Sequence, residues 1–131
     1  MKRQIIRVPE ESGKENLRHL LLDEKTADFR FIVEGKLLCA HKAILSDRCS
    51  HFQIMFESGM KETSASELEI HDFTFSQMQA VLEVIYTNTC NIDSENAVEL
   101  LQVADFYKLV ICLSLLYLYV IHSLTPSFHK K

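Results

Sequence analysis

The stretch Ala27-Asp28-Phe29-Arg30-Phe31-Ile32-Val33-Glu34-Gly35-Lys36-Leu37-Leu38-Cys39-Ala40-His41-Lys42-Ala43-Ile44-Leu45 decides the fold class. Phe29, Phe31 and Val33 alternate with Arg30, Ile32 and Glu34, the period of two that marks a half-buried strand. Ile32 is apolar on the second face, so that face is expected to be partly covered as well. Glu34-Gly35 supplies a turn glycine, and Lys36 to Ala40 returns as the other arm of a hairpin. From His41 the period becomes helical. Ala43, Ile44 and Leu45 form one short turn, and Phe52, Met55 and Phe56 form a second stripe that ends near Gly59.

Moving outward, Leu68-Glu69-Ile70-His71 alternates as a short strand. Thr74-Phe75-Ser76-Gln77 has the form of a capping box, in which two side chains satisfy free amides at a helix start. It opens a helix whose apolar face is Met78, Val81, Leu82 and Ile85. Asp93 is expected to cap the next helix, where Ala97, Leu100, Leu101, Ala104 and Tyr107 keep helical spacing. Upstream, Ser12-Gly13-Lys14-Glu15 is a further capping box. With Leu17, Leu20 and Leu21 at i, i+3 and i+4, it predicts a short amphipathic helix over about 14–23. Before it lies an arm, Gln4-Ile5-Ile6-Arg7-Val8-Pro9, whose β-branched residues favour an extended strand or tether. The pattern predicts an α+β domain with one small three-stranded sheet and a cluster of about five or six helices. Its expected divisions are an arm over 1–13, the domain over 14–109 and an atypical apolar segment over 110–131.

The chain has 131 residues, of which 47% are hydrophobic and 24% charged, with three Gly and two Pro. That is the composition of one globular domain able to bury a core without metal or disulfide staples. The net charge of −4 argues against a generic nucleic-acid binder, which carries a basic excess. The charge is also uneven. From Glu57 to Asp105 there are ten acids and one base, Lys61, whereas the first 56 residues carry ten bases and eight acids. The middle of the chain is read either as an ordinary solvated surface or as an acidic face that steers a basic protein partner. Cys39, Cys49, Cys90 and Cys112 are irregularly spaced, and the N-terminus lacks a signal-like apolar run. Reduced thiols in the cytoplasm or nucleus are expected.

Cys39-x-His41 and Cys49-x-His51 offer four potential zinc ligands, but on a helix Cys49 and His51 point roughly 200° apart. Buried cysteines and hydrogen-bonded histidines are the expected reading, with no metal and no cofactor. There is no Gly-x-Ser-x-Gly elbow, no glycine-rich phosphate loop and no His-Glu-x-x-His, so no catalytic residue is expected. Basic residues interleaved with aromatics, as on a single-strand nucleic-acid surface, are missing too.

The run Ala27 to Gly35, then Ala40-His41-Lys42-Ala43-Ile44-Leu45, Phe52-x-x-Met55-Phe56, Ile85-Tyr86-Thr87 and Asn96-Ala97-x-x-Leu100-Leu101-x-x-Ala104-Asp105-Phe106-Tyr107-x-Leu109, resembles the BTB/POZ domain in order and spacing over about 17–109. The resemblance implies the BTB/POZ fold and a protein-interaction module that homodimerises and recruits a cullin-RING ubiquitin ligase as a substrate adaptor. Other BTB proteins are further implied partners. It places dimer contacts on Leu17, Leu20 and Leu21, for which cover of the monomer's own core is the alternative. It also matches Asp28 and Lys42 to a charged pocket found in corepressor modules, the alternative being that Asp28 fixes the strand entry and Lys42 is solvated. Met60-Lys61-Glu62 fits the hydrophobic-x-Glu element of cullin recruitment, with Phe56 supporting it from the preceding turn. Two other roles stay open: a dimerisation or corepressor-type scaffold that binds no ligase, and a short regulatory form that pairs with other BTB proteins. The arm and leucine stretch are also similar to members in which a MATH domain precedes this one, and no substrate-binding segment is visible.

Leu109 to Ile121 departs from the family's usual charged helix, with Ser114 its one non-apolar residue. As a helix it spans only about 20 Å, against about 30 Å for a bilayer core, so no membrane span is expected. An exposed apolar patch for a partner, or a truncated or alternative C-terminus, is the expectation there.

Overall fold

A computed structural model describes residues 4–7, 16–58, 66–92 and 95–109, with 4–7 and 90–92 described as backbone. In chain order the elements are β1 (Gln4–Arg7), a 3-10 turn (Arg18–Leu20), β2 (Phe29–Val33), β3 (Lys36–Ala40), α1 (Lys42–Arg48) and α2 (Ser50–Glu57). After these come β4 (Glu67–Ile70), α3 (Phe75–Thr87), β5 (Thr89–Ile92) and α4 (Ala97–Phe106). This is an α+β fold with a three-stranded sheet of order β3-β2-β4, together with a two-stranded ribbon, β1-β5. The described residues thus hold four α-helices and one 3-10 turn.

The hairpin forms as its pattern dictates. β2 and β3 run antiparallel with Phe29 opposite Ala40 and Val33 opposite Lys36. Glu34 (φ 53°) and Gly35 (φ 75°) both lie in the left-handed region, which gives a two-residue turn whose twist matches that of the strands. A non-glycine residue in that region is uncommon. Here the Glu34 carboxylate reaches across to accept the Phe75 amide at 3.0 Å, at the positive end of α3. The expected capping box completes the same helix start: Gln77 N–H donates to Thr74 Oγ1 at 3.1 Å and Thr74 N–H to Gln77 Oε1 at 2.9 Å. α3 ends at Asn88, in the left-handed conformation that closes a helix.

β4 pairs parallel to β2, with Phe31 opposite Leu68. Central β2 therefore buries Phe29, Phe31 and Val33 completely, and they join Leu45, Phe52, Phe56, Met78, Val81, Leu82, Ile85, Val103 and Tyr107 in one core. Each such side chain contributes about 1.5–3 kcal/mol on leaving water. Ile32, on the other face, is half-buried, as expected.

Two local expectations change. The helix over 14–23 is reduced, within the described residues, to the 3-10 turn Arg18–Leu20. Tertiary and side-chain bonds outcompete the helical ladder there. Leu17 N–H donates to the Tyr86 carbonyl of α3 at 2.7 Å, Asn16 Oδ1 takes the Arg18 amide at 2.8 Å, and Leu22 turns the chain with φ 60°. The Ser12–Glu15 capping box lies outside the described residues. The N-cap of α4 is Asn96, not Asp93, which also lies outside them. α4 closes on a Schellman turn: Lys108 has φ 58°, and Leu109 N–H donates to the Ala104 carbonyl at 3.0 Å. The 110–131 segment lies beyond the described residues. Among those described, no helix is long and apolar enough to cross a membrane.

Candidate protein-interaction site

The potential zinc ligands are each held by other bonds or packing. Cys39 and Cys49 are buried free thiols. The Cys49 S–H donates to the Tyr107 carbonyl at 3.4 Å, and burial raises its pKa. His41, at the β3–α1 junction, is bound through both ring nitrogens: Nδ1 meets the Tyr86 hydroxyl at 2.7 Å and Nε2 meets Thr26 Oγ1 at 2.7 Å. The Tyr86 hydroxyl also accepts the His41 backbone N–H at 2.9 Å, so its own proton points to Nδ1. That assigns the Nε2–H donor to Thr26, whose hydroxyl donates in turn to Asp23 Oδ2 at 2.9 Å. Burial pushes the Tyr86 phenol up to about 12, which keeps this donor protonated.

This chain of bonds ties the leucine segment to the body of the domain. Tyr86→Phe leaves the buried His41 N–H and Nδ1 without their partner and is expected to cost about 1–3 kcal/mol. A urea-melt midpoint equal to wild type would show that the network carries no net stability.

The leucine segment itself is half-buried: Leu17, Leu20, Leu21 and Leu22 all pack against the core cluster. Arg18 leans the other way, to Glu83 of α3 at 3.2 Å. Asp28 Oδ1 accepts the Lys42 amide at 2.9 Å and so caps α1, whose N-cap residue His41 makes no side-chain cap. The Lys42 ammonium lies 5.8 Å from the Phe29 ring centre and 5.7 Å from that of Phe56. The pair is thus joined through a backbone amide, with the Lys42 charge over aromatic faces.

Phe56 turns inward at 9% exposure, packed edge-on against Phe29, and acts as buried support for the end of α2. Met60 and Glu62, just beyond that end, lie outside the described residues. Two residues that periodicity did not single out are exposed: Ile54 on α2 at 69% and Phe106 at the end of α4 at 46%. Phe106 belongs to an aromatic patch with His51, Phe73 and Tyr107, at centroid distances of 4.9–5.9 Å. The signal for it was available, since an apolar residue off the helix's inner face at i−1 to Tyr107 is an outward one.

His51 of α2 sits in this patch, and burial lowers its pKa below 6.5. The folded state therefore favours neutral imidazole, while the unfolded chain takes up the proton near pH 6.5. The contribution is complete above pH 6.5 and is lost as pH falls through the folded value. Stability measured from pH 7.5 to 5 is expected to fall less steeply in His51→Asn than in wild type. Equal slopes would remove His51 from the acid response.

Residues 17–116 match the BTB/POZ domain family. The chain is 36% identical over 72 residues to Kelch-like protein 22 of Xenopus tropicalis, covering 55% of this chain and 11% of that protein. It is 33% identical over 96 residues to human BTB/POZ domain-containing protein 9, covering 72% of this chain and 15% of that protein. The matched stretch is thus a small part of the length of these relatives. Among solved structures, the BTB domain of zebrafish PATZ1 superposes with a TM-score of 0.70 at 22% identity, covering 89% of this chain and 97% of that one. The BTB domain of human gigaxonin gives 0.66 at 16% identity, over 87% and 94%.

Proposed function

The chain belongs to the BTB/POZ domain family, and from that premise we propose that this protein-interaction module homodimerises through its leucine segment and recruits a cullin-RING ubiquitin ligase as an adaptor. The observation that carries the ligase half is the surface at the end of α2. There Phe56 is anchored in the core, Ile54 of the same helix is exposed, and in sequence Met60-Lys61-Glu62 follows directly. A mixed protein interface needs exposed apolar residues at its centre and charged ones at its rim, residue types that Ile54 and the nearby sequence Met60-Lys61-Glu62 offer. The likeness to Kelch-like protein 22 supports the same reading. An adaptor of this kind works in the cytoplasm or nucleus.

The test is direct binding of a purified cullin N-terminal domain. Truncating interface hot spots costs about 2 kcal/mol or more, roughly thirtyfold in affinity. A Met60→Ala, Glu62→Ala variant is expected to lose at least that much in calorimetry while keeping its melting temperature. Unchanged affinity in the double variant, or no binding by wild type, moves the role to a dimerising scaffold that engages no ligase.

A further inference from the structure

The three-stranded sheet runs β3-β2-β4, so among the described residues β4 has a strand on one side only. Its parallel register decides which of its backbone groups are used. Arg30 stands opposite Glu67 and Ile32 opposite Glu69, and the Arg30 N–H donates to the Ser66 carbonyl at 2.9 Å. In a parallel ladder such a residue bonds the two neighbours of its opposite number, so Ser66, Leu68 and Ile70 turn their backbone groups to β2. The N–H and C=O groups of Glu67 and Glu69 therefore point to the open side of the sheet. The register sorts the side chains as well. Leu68 and Ile70 lie opposite Phe31 and Val33 and share their inner face, half-buried against the core. Glu67 and Glu69 share the outer face with Arg30 and Ile32, and both are exposed. Glu67 makes no ion pair among the described residues. Glu69 meets His71 Nε2 at 3.8 Å, with both side chains more than half exposed, a contact worth little even when the imidazole is charged.

We propose that β4 accepts a fourth strand, an extended segment of a partner protein in which basic residues alternate with apolar ones. The outward backbone groups of Glu67 and Glu69 supply the ladder, as in other recognition by strand addition. The side chains supply the selection. Successive residues of an added strand point to opposite faces. Those on the outer face come beside Glu67 and Glu69 and gain from a positive charge. Those on the inner face come beside the open flank of Leu68 and Ile70 and gain from an apolar side chain. A second copy of this chain is a poor occupant. Two β4 edges paired antiparallel in one continuous sheet bring four carboxylates together on one face, and charges on a short edge strand guard against that pairing. A basic segment meets no such barrier, and the acid-rich stretch from Glu57 to Asp105, with ten acids and one base, adds attraction at longer range.

The experiment is an NMR titration of the full chain with the end-blocked synthetic peptide Lys-Val-Lys-Val-Lys. The shuffled peptide Lys-Lys-Lys-Val-Val, which carries the same charge, is the control. The alternating peptide is expected to bind more tightly than the shuffled one, to shift the Glu67 and Glu69 amide signals and to slow their exchange with solvent. Glu67→Gln with Glu69→Gln is expected to weaken binding about fivefold, as the loss of two cross-strand charge pairs allows, at an unchanged melting temperature. Glu67→Lys with Glu69→Lys is expected to turn the preference to Glu-Val-Glu-Val-Glu. Equal binding of the shuffled peptide overturns the proposal, because it reports charge attraction without strand pairing. So does a peptide N-methylated at alternate amides that binds as well as the parent, and so does no binding by wild type at millimolar peptide. Shifts at Glu67 and Glu69 produced by concentrating the chain alone overturn it too and assign the edge to a second copy. No cullin enters the titration, so its outcome and that of the ligase test are read separately.

Discussion

Phe52→Ala is expected to lose about 3–5 kcal/mol of folding stability, a large fraction of the about 5–15 kcal/mol that a domain has. Phe52 is fully buried and stands where α2, β2 and the end of α4 meet. Its ring lies 5.5 Å from Phe31 on the central strand and 5.0 Å from Tyr107, nearly parallel to it at 22°. Phe56 is 6.3 Å away on the same helix. Removing the ring empties a space walled by other rings, and rigid rings on three elements collapse poorly into a cavity. Urea denaturation is expected to show a much lower midpoint with an unchanged m-value. Phe52→Leu should lose much less, because it refills most of the volume. A Phe52→Ala loss below about 1 kcal/mol would mean that the aromatic cluster repacks freely, contrary to its interlocked geometry.

The second large effect concerns the leucine segment. Leu17, Leu20 and Leu21 are half-buried against their own core, with area left open for a second copy. Obligate dimer interfaces typically bury more than about 2,000 Å² in total, so three leucines at the centre of the proposed one would weigh heavily. Leu17→Asp, Leu20→Asp and Leu21→Asp together are expected to abolish the dimer and also lower the melting temperature, since each carboxylate must abandon both contacts. Sedimentation at micromolar concentration reads the first effect and calorimetric melting the second. Wild-type chain sedimenting as a monomer would overturn the dimer proposal, and a triple variant that stays dimeric would move the interface elsewhere. If the triple variant proves too unstable, Leu20→Asp alone separates the two effects.

The two substitutions differ in how readily the sequence disclosed their targets. Phe52 lies on a helical stripe with Met55 and Phe56, so its burial follows from a 3.6-residue period that any amphipathic helix must obey. Phe29, Phe31 and Val33 were legible for the same reason at a period of two, and Glu34-Gly35 because few residue pairs accept the backbone of a tight hairpin. The Thr74–Gln77 box was legible because its bonds close within four residues. The leucine segment resembled a helix by the same arithmetic and is one only for a 3-10 turn, because Leu17 N–H is taken by the Tyr86 carbonyl 69 residues away. The candidate site was legible in part. Asp28 and Lys42 were identified as a pair, but their link through the Lys42 amide and the position of its ammonium over Phe29 and Phe56 depend on how the hairpin meets α1. Ile54 and Phe106 lie off the inner faces of α2 and α4, so their outward placement is readable from the helical period, but what surrounds them is not.

Local periodicity, turn chemistry and capping determined the α+β class, the hairpin and its inward face, the two short helices after it and the box that starts α3. Those features depend on backbone geometry over a few residues, and the sequence states them directly. Tertiary structure alone decided the pairing of β1 with β5, the parallel docking of β4 on β2, the truncation of the leucine helix and the Asp23–Thr26–His41–Tyr86 chain of bonds. Each of these joins groups far apart in sequence. Its energy arises only when burial removes water as the competing partner, and no window of neighbouring residues contains both halves of the bond.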